Sequence, residues 1–413
     1  MKIARFWPSP LGPAFDSMVA NLWLCAFRPF FLLTAGHAVV AMAWWLGALA
    51  GLLPLPELPG GAVVWHAHEM IFGFAGASIA GFLLTAIIEF TGSPAVDRKT
   101  VQILLGLWVG GRLFYLLAGW LGVLPAAVCD LAFLALLTAR IAGPLWRQPS
   151  RRHLAFFHAL AALTVIHAGF YLALWRGGDA MAWLLLGVGL MMMLIVIALS
   201  RISMRLVNDV LERQGGIAAP YLARPPRRKL AIFAIGLFSA AEFFLPGNAV
   251  AGWLALAAAA ALLNLLNDWH VGRALWQRWV LIPYLVYWAM ALGYALIGIG
   301  LLAGGNWNSA GHHLLLAGAM ALSILIVMSV AGRLHSGHGL DHRRWLPGAA
   351  ALLLGAALLR AAASLPAFAG AYLPLLHSAA TLWLVGWSLY LLYSWQALAG
   401  PRPDGGKGCD EAG

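Results

Sequence analysis

Residues 181–200 read MAWLLLGVGLMMMLIVIALS, twenty positions without a single charge. As a helix this stretch rises about 30 Å, the thickness of the hydrocarbon core of a bilayer. Its backbone polar groups can be satisfied there only by helical hydrogen bonds. Working outward, eleven further stretches have the same character, at about 27–50, 65–88, 100–119, 125–145, 153–174, 229–246, 250–270, 276–302, 308–331, 345–366 and 370–396. They leave no room for a strand-rich region, so the expected fold is an all-α bundle of about twelve membrane-spanning helices. Composition agrees. The chain of 413 residues is 62% hydrophobic and 10% charged, with a mean hydropathy of +0.83. A soluble domain carries about a quarter charged residues. The numbers exclude a water-soluble enzyme, a disordered tail protein and a nucleic-acid binder.

The net charge of +11 is spread over short connections rather than gathered in one basic patch. Lys and Arg accumulate on the cytoplasmic side of membrane proteins. With the N-terminus inside, the inner connections hold Lys2, Arg5 and Arg28, then Arg98 and Lys99, then Arg140, Arg147, Arg151 and Arg152. Arg201 to Lys229, Arg273, Arg278, Arg333, Arg343, Arg344, Arg402 and Lys407 follow on the same side. Arg176 falls outside, and Arg112 and Arg360 fall within spans. Both termini are therefore expected in the cytoplasm. The whole chain, 1–413, reads as one integral membrane domain. Six helices span about 27–200, a cytoplasmic loop covers about 201–228, six more helices span about 229–396, and a tail follows at 397–413. No sequence repeat between the halves is apparent. Cys25, Cys129 and Cys409 lie far apart with no CxxC, which points to neither a disulfide framework nor a thiol zinc site.

Thirteen histidines stand against fifteen acids, and their depth is informative. His66 and His68 open the second span, His167 lies in the outer half of the fifth, His312 and His313 open the tenth, and His377 lies near the start of the twelfth. These six share one outer depth, while His37 sits near the middle of the first span. Neutral imidazole is the commonest metal ligand and suits heme iron, copper and zinc. In Trp65-His66-Ala67-His68-Glu69-Met70, positions two apart on a helix differ by about 200°, so His66 and His68 point to nearly opposite faces and do not bind one ion together. One could serve a metal or heme while the other serves a second centre, a partner helix or headgroups. Glu69 beside them is the candidate proton relay or hydrogen-bond acceptor. Arg112 and Arg360, within apolar helices, require anionic partners. A heme propionate or an internal carboxylate such as Asp130 or Glu242 would serve.

These stretches resemble the NnrS family. Arg28-Pro29-Phe30-Phe31, the run from Trp65 to Phe74, Ala80-Gly81-Phe82-Leu83-Leu84-Thr85-Ala86, Thr91-Gly92 and Gly111-Arg112-Leu113 carry the likeness. His313, Gly318, Met328 and His335-Ser336-Gly337 extend it into the second half. The chain has Glu89-Phe90 where the family usually has Asn-Trp, and His338 where it has Arg. The resemblance implies a multi-pass protein of the bacterial inner membrane that holds heme b and copper among lipids. It further implies nitric oxide as the small ligand, in nitric oxide metabolism, denitrification or protection from nitrosative stress. The cofactor-binding candidates are His66, His68, His167, His313 and Arg112. The metal candidates are His66, His68, His313, His37, His377 and His335. Whether nitric oxide is turned over or only bound stays open, as does the rival of a transporter built of six plus six helices, or an assembly factor for respiratory heme and copper.

Overall fold

The computed structural model describes residues 13–55, 57–151, 153–215, 220–305, 307–406 and 408–409. Lys2, Arg5, Arg152 and Lys407, used in the charge argument, lie outside them. The described chain is helical, and no strand occurs among the described residues. The twelve main helices are α1 (Phe27–Leu49), α2 (Gly61–Thr91), α3 (Arg98–Leu116), α4 (Leu124–Arg147), α5 (Leu154–Arg176) and α6 (Ala180–Arg213). They continue as α7 (Pro225–Phe244), α8 (Ala249–Leu266), α9 (Arg278–Ala303), α10 (Trp307–Leu334), α11 (Trp345–Ala363) and α12 (Tyr372–Ala399). Ten of the described helical stretches are long and apolar enough to cross a membrane. The two that fall short, α3 and α7, correspond to expected spans at 100–119 and 229–246 and are helical. Charges at their starts, Arg98 and Lys99 in one and Arg227 to Lys229 in the other, dilute their apolar windows. The chain is a multi-pass membrane protein.

Local signals set several helix ends. The Asp97 carboxylate accepts from the Thr100 N–H at 3.0 Å and starts α3, and Asp179 accepts from the Ala182 N–H at 3.1 Å and starts α6. Such caps satisfy N–H groups that no helical partner reaches. The sixth helix runs on to Arg213 instead of stopping near 200. Its hydrogen bonds do not depend on lipid, so the helix persists beyond the apolar stretch while its polar residues accumulate.

Two helices are central. The apolar windows of α2 and α10 are each 83% buried, against 33–56% in the other eight. The first packs on α1 and α4, the second on α9 and α11, and α6 touches both. Each is interrupted by a seven-residue π turn that begins directly after a histidine, Glu69–Ala75 after His68 and Leu314–Met320 after His313. Each is followed by a helix with a buried or half-buried arginine near its end, Arg112 in α3 and Arg360 in α11. The helix pairs α2–α3 and α10–α11 are alike in these two features. The likeness escapes the sequence because the matched positions have diverged, Glu69 against Leu314 among them.

Cys25 and Cys409 form a disulfide between residues 384 apart in the chain. This corrects the expectation drawn from cysteine spacing, since separation in sequence says nothing about chain ends that fold together. The tail that carries Cys409 is held by Arg28, which donates to the carbonyls of Leu398 at 3.2 Å and Gly400 at 2.8 Å. Arg402 holds it too, donating to the His335 carbonyl at 2.9 Å.

Candidate metal and ligand site

The first centre is a buried polar cluster drawn from α1 to α5. Glu69 lies in its middle. One of its oxygens is 3.1 Å from His37 Nε2 and 3.2 Å from Arg112 Nε, and the other is 3.0 Å from His68 Nδ1. The π turn places it there. The π turn loosens the α-helical ladder, and the Gly73 carbonyl accepts from Trp108 Nε1 at 3.0 Å as well as from the Gly76 N–H. Gly73 is required at that position, because a Cβ would stand 2.5 Å from His37 Nε2 and 3.0 Å from Glu69 Oε2. Gly111 has the same role in the adjoining layer, where a Cβ would collide with the Asp130 carboxylate.

Asp130 closes the cluster. Its Oδ2 accepts from Arg112 Nη2 and from the Tyr171 hydroxyl, both at 2.6 Å. The same oxygen lies 3.6 Å from His68 Nε2 and 3.6 Å from His167 Nε2. The two imidazole nitrogens are 2.9 Å apart, within hydrogen-bond range. Phe72 stacks on His167 at 3.5 Å and Phe170 on His68 at 4.8 Å, which fixes both rings. The ligand atoms of His68, Asp130 and His167 all lie within 4.8 Å of one another. Two histidines and a carboxylate suit iron, copper or zinc. Nitrogens on one tetrahedral ion at metal–nitrogen distances of about 2.0–2.1 Å stand about 3.3 Å apart, so a small parting of the two rings admits an ion. That ion would compete with Arg112 for Asp130.

The second centre is a cavity of about 340 Å³ bordered by His66, His313, Arg360, Trp45, Asn308 and His312. As the spacing requires, His66 turns away from His68 and reaches this separate space. Its ring lies flat on Trp45 at 4.6 Å, and its Nδ1 is buried without a hydrogen-bond partner. His313 Nδ1 donates to the Ser309 carbonyl at 2.8 Å. That bond fixes the tautomer and leaves the Nε2 lone pair for a metal. His312 faces Glu242 instead, Nε2 to Oε1 at 3.3 Å. Arg360 donates to the Ser364 hydroxyl at 2.6 Å and forms no ion pair with a carboxylate among the described residues. Half-buried guanidinium, free imidazole and apolar walls make a cavity suited to a flat, largely apolar ligand with an anionic edge.

The family model described as NnrS protein matches residues 21–402. The chain belongs to the NnrS family. No curated protein matches it. In this NnrS chain the expected residues divide among four places. His68, His167, Glu69, Arg112 and His37 meet in the polar cluster, and His66 and His313 meet at the cavity. His335 lies at the opposite end of the bundle, 3.2 Å from Glu89, with its Nδ1 bonded to the Cys409 carbonyl at 2.8 Å. His377 lies on α12 with a buried, unpartnered Nε2 and does not border the cavity. Sequence reading missed Tyr171 and Trp45. Tyr171 was findable, one helical turn after His167 on the same face. Trp45 was not, because nothing in the sequence pairs α1 with the start of α2.

Proposed function

We propose that this NnrS protein binds heme b in the histidine cavity and copper at the polar cluster, and that it handles nitric oxide in the bacterial inner membrane with both termini cytoplasmic. The observation that supports this reading is the meeting of His66 and His313, from opposite halves of the chain, beside an Arg360 that no protein carboxylate among the described residues neutralises. One of His66 and His313 would hold the iron and the other would face its bound ligand, with Arg360 on the propionate charge. Heme held there would supply a ferrous iron that accepts a diatomic nitrogen oxide.

The protein's own residues do the rest. Ser309 orients the His313 ring through Nδ1, and Trp45 clamps His66. The apolar walls keep water from the ligand. Glu69 links the two centres along one helix, since it follows His68 directly and lies three residues from His66. Its carboxylate, touched by His37, His68 and Arg112, accepts or returns a proton at its two oxygens. At the cluster, His68 and His167 offer nitrogens and Asp130 a carboxylate, with Tyr171 holding the carboxylate in place.

The test is an absorption spectrum and metal analysis of the purified full chain. A Soret band and copper are expected. At least one of His66→Ala and His313→Ala should remove the band while copper stays, and His68→Ala or His167→Ala should do the reverse. Nitric oxide added to the dithionite-reduced protein should shift the Soret band at once. A colourless protein, or full cofactor content in all four variants, overturns the reading and moves a transporter ahead.

A further inference from the structure

Three cavities succeed one another between α2, α6 and α10. The histidine cavity is bordered by Met320, which also borders a middle cavity of about 80 Å³. Phe82, Phe156, Ala198 and Val327 border both this middle cavity and a third, of about 190 Å³, which reaches Glu89, Arg201, Arg205 and His335 at the opposite end of the bundle. The histidine cavity and the arginine-bordered end thereby lie in one series of adjoining cavities with shared walls. Ala75 and Met320, the last residues of the two π turns, both face the middle cavity.

The middle walls are apolar, with Ser78 and Ser323 as their polar residues. The Ser323 hydroxyl already donates to the Met320 carbonyl at 2.8 Å. A buried water needs two to four polar partners, and apolar cavities without them stay dry while admitting xenon or benzene. An ion there would cost several kcal/mol. The walls thus offer water few partners and ions none, while small uncharged apolar molecules need none.

We propose that the three cavities form a dry passage along which small uncharged molecules of diatomic size move between the histidine cavity and the arginine-bordered end. The inference needs no cofactor. It stands on the walls alone, so its test is independent of heme and copper.

Xenon is the probe. In xenon-pressurised crystals of the purified full chain, xenon atoms are expected in the histidine and middle cavities. Ala198→Phe puts a ring into the wall shared by the middle and third cavities. It should remove the middle atom, keep the histidine-cavity atom, and slow xenon-129 exchange with bulk several-fold in nuclear magnetic resonance. Should that variant fail to fold, Ala198→Leu is expected to give the same changes in smaller measure. No xenon in the wild-type middle cavity, ordered water filling it, or exchange unchanged in the folded variant each overturns the passage.

Discussion

Arg112 and Arg360 occupy like positions near the ends of α3 and α11, and their surroundings decide what each does. Arg112 has Asp130 at 2.6 Å and Glu69 at 3.2 Å. Removing one partner of a buried pair strands the other charge, at a cost of about 3–5 kcal/mol. Arg112→Leu is therefore expected to lower the melting temperature and yield of the detergent-solubilised chain sharply. Arg112→Leu combined with Asp130→Asn and Glu69→Gln should recover some of that loss, and a single variant as stable as wild type would contradict the pairing. Arg360→Leu strands no carboxylate among the described residues, so the same measurement should find it close to wild type without cofactor. Outside the spanning segments, Asp341 gives a pH signature. Burial pushes its carboxyl up, but hydrogen bonds from Arg343 at 2.6 Å and Trp345 at 2.8 Å, with the Arg333 charge, override this and hold it well below the usual carboxylate range. A carboxylate so depressed stabilises the fold fully above its unfolded value of about 4, and that stability is lost as pH falls through the lowered folded value. Asp341→Asn should cost about 1–3 kcal/mol at pH 7 and remove this contribution to acid sensitivity, measured as melting temperature against pH.

At the scale of the element, the two π turns act as registers. Deleting one residue from a π turn restores α geometry and turns everything before it by about 100° relative to the helix beyond it. Deletion of Ile71 should swing His66 and His68 off their present faces while α2 still crosses the membrane. The expected outcome is normal insertion with loss of bound metal, read by fractionation and metal analysis, and full metal content would mean the turn does not position the site. This is also where sequence reading stops. The spans were legible because twenty uncharged residues admit few alternatives, and the opposite facing of His66 and His68 was legible because two residues along a helix fix an angle. That Arg112 needs an anionic partner was legible from charge alone, whereas its pairing with Asp130 and Glu69 depends on which helices are neighbours. The π turns were not, because Glu69–Ala75 and Leu314–Met320 are composed like any apolar helix, and an extra residue per turn leaves no mark in the letters. Nor was the division into a charged cluster and an open cavity, which depends on which helices are neighbours.

At the scale of the whole molecule, the end that carries Arg201, Arg205, His335 and the Cys25–Cys409 pair is the one the charge rule assigns to the cytoplasm. Reporter fusions at Gly304 and Gly370 should then read as external and one at Gly215 as internal. The cysteines supply a second measurement that owes nothing to fusions. Cys25 and Cys409 sit at that same end, where Cys409 Sγ also approaches the Leu24 carbonyl at 3.8 Å. Disulfides persist in oxidising compartments and are reduced in the cytosol. With this end cytoplasmic, both thiols should be free in growing cells, be alkylated by a membrane-permeant maleimide, and become protected only after an oxidant. The tail should remain docked in either state, because Arg28 and Arg402 hold it through backbone carbonyls and not through sulfur. Limited proteolysis of inside-out vesicles under reducing conditions tests that point, with the tail expected to resist cleavage. A pair already oxidised in growing cells would place this end outside, and with it the whole bundle would turn over, carrying the histidine cavity to the cytoplasmic side.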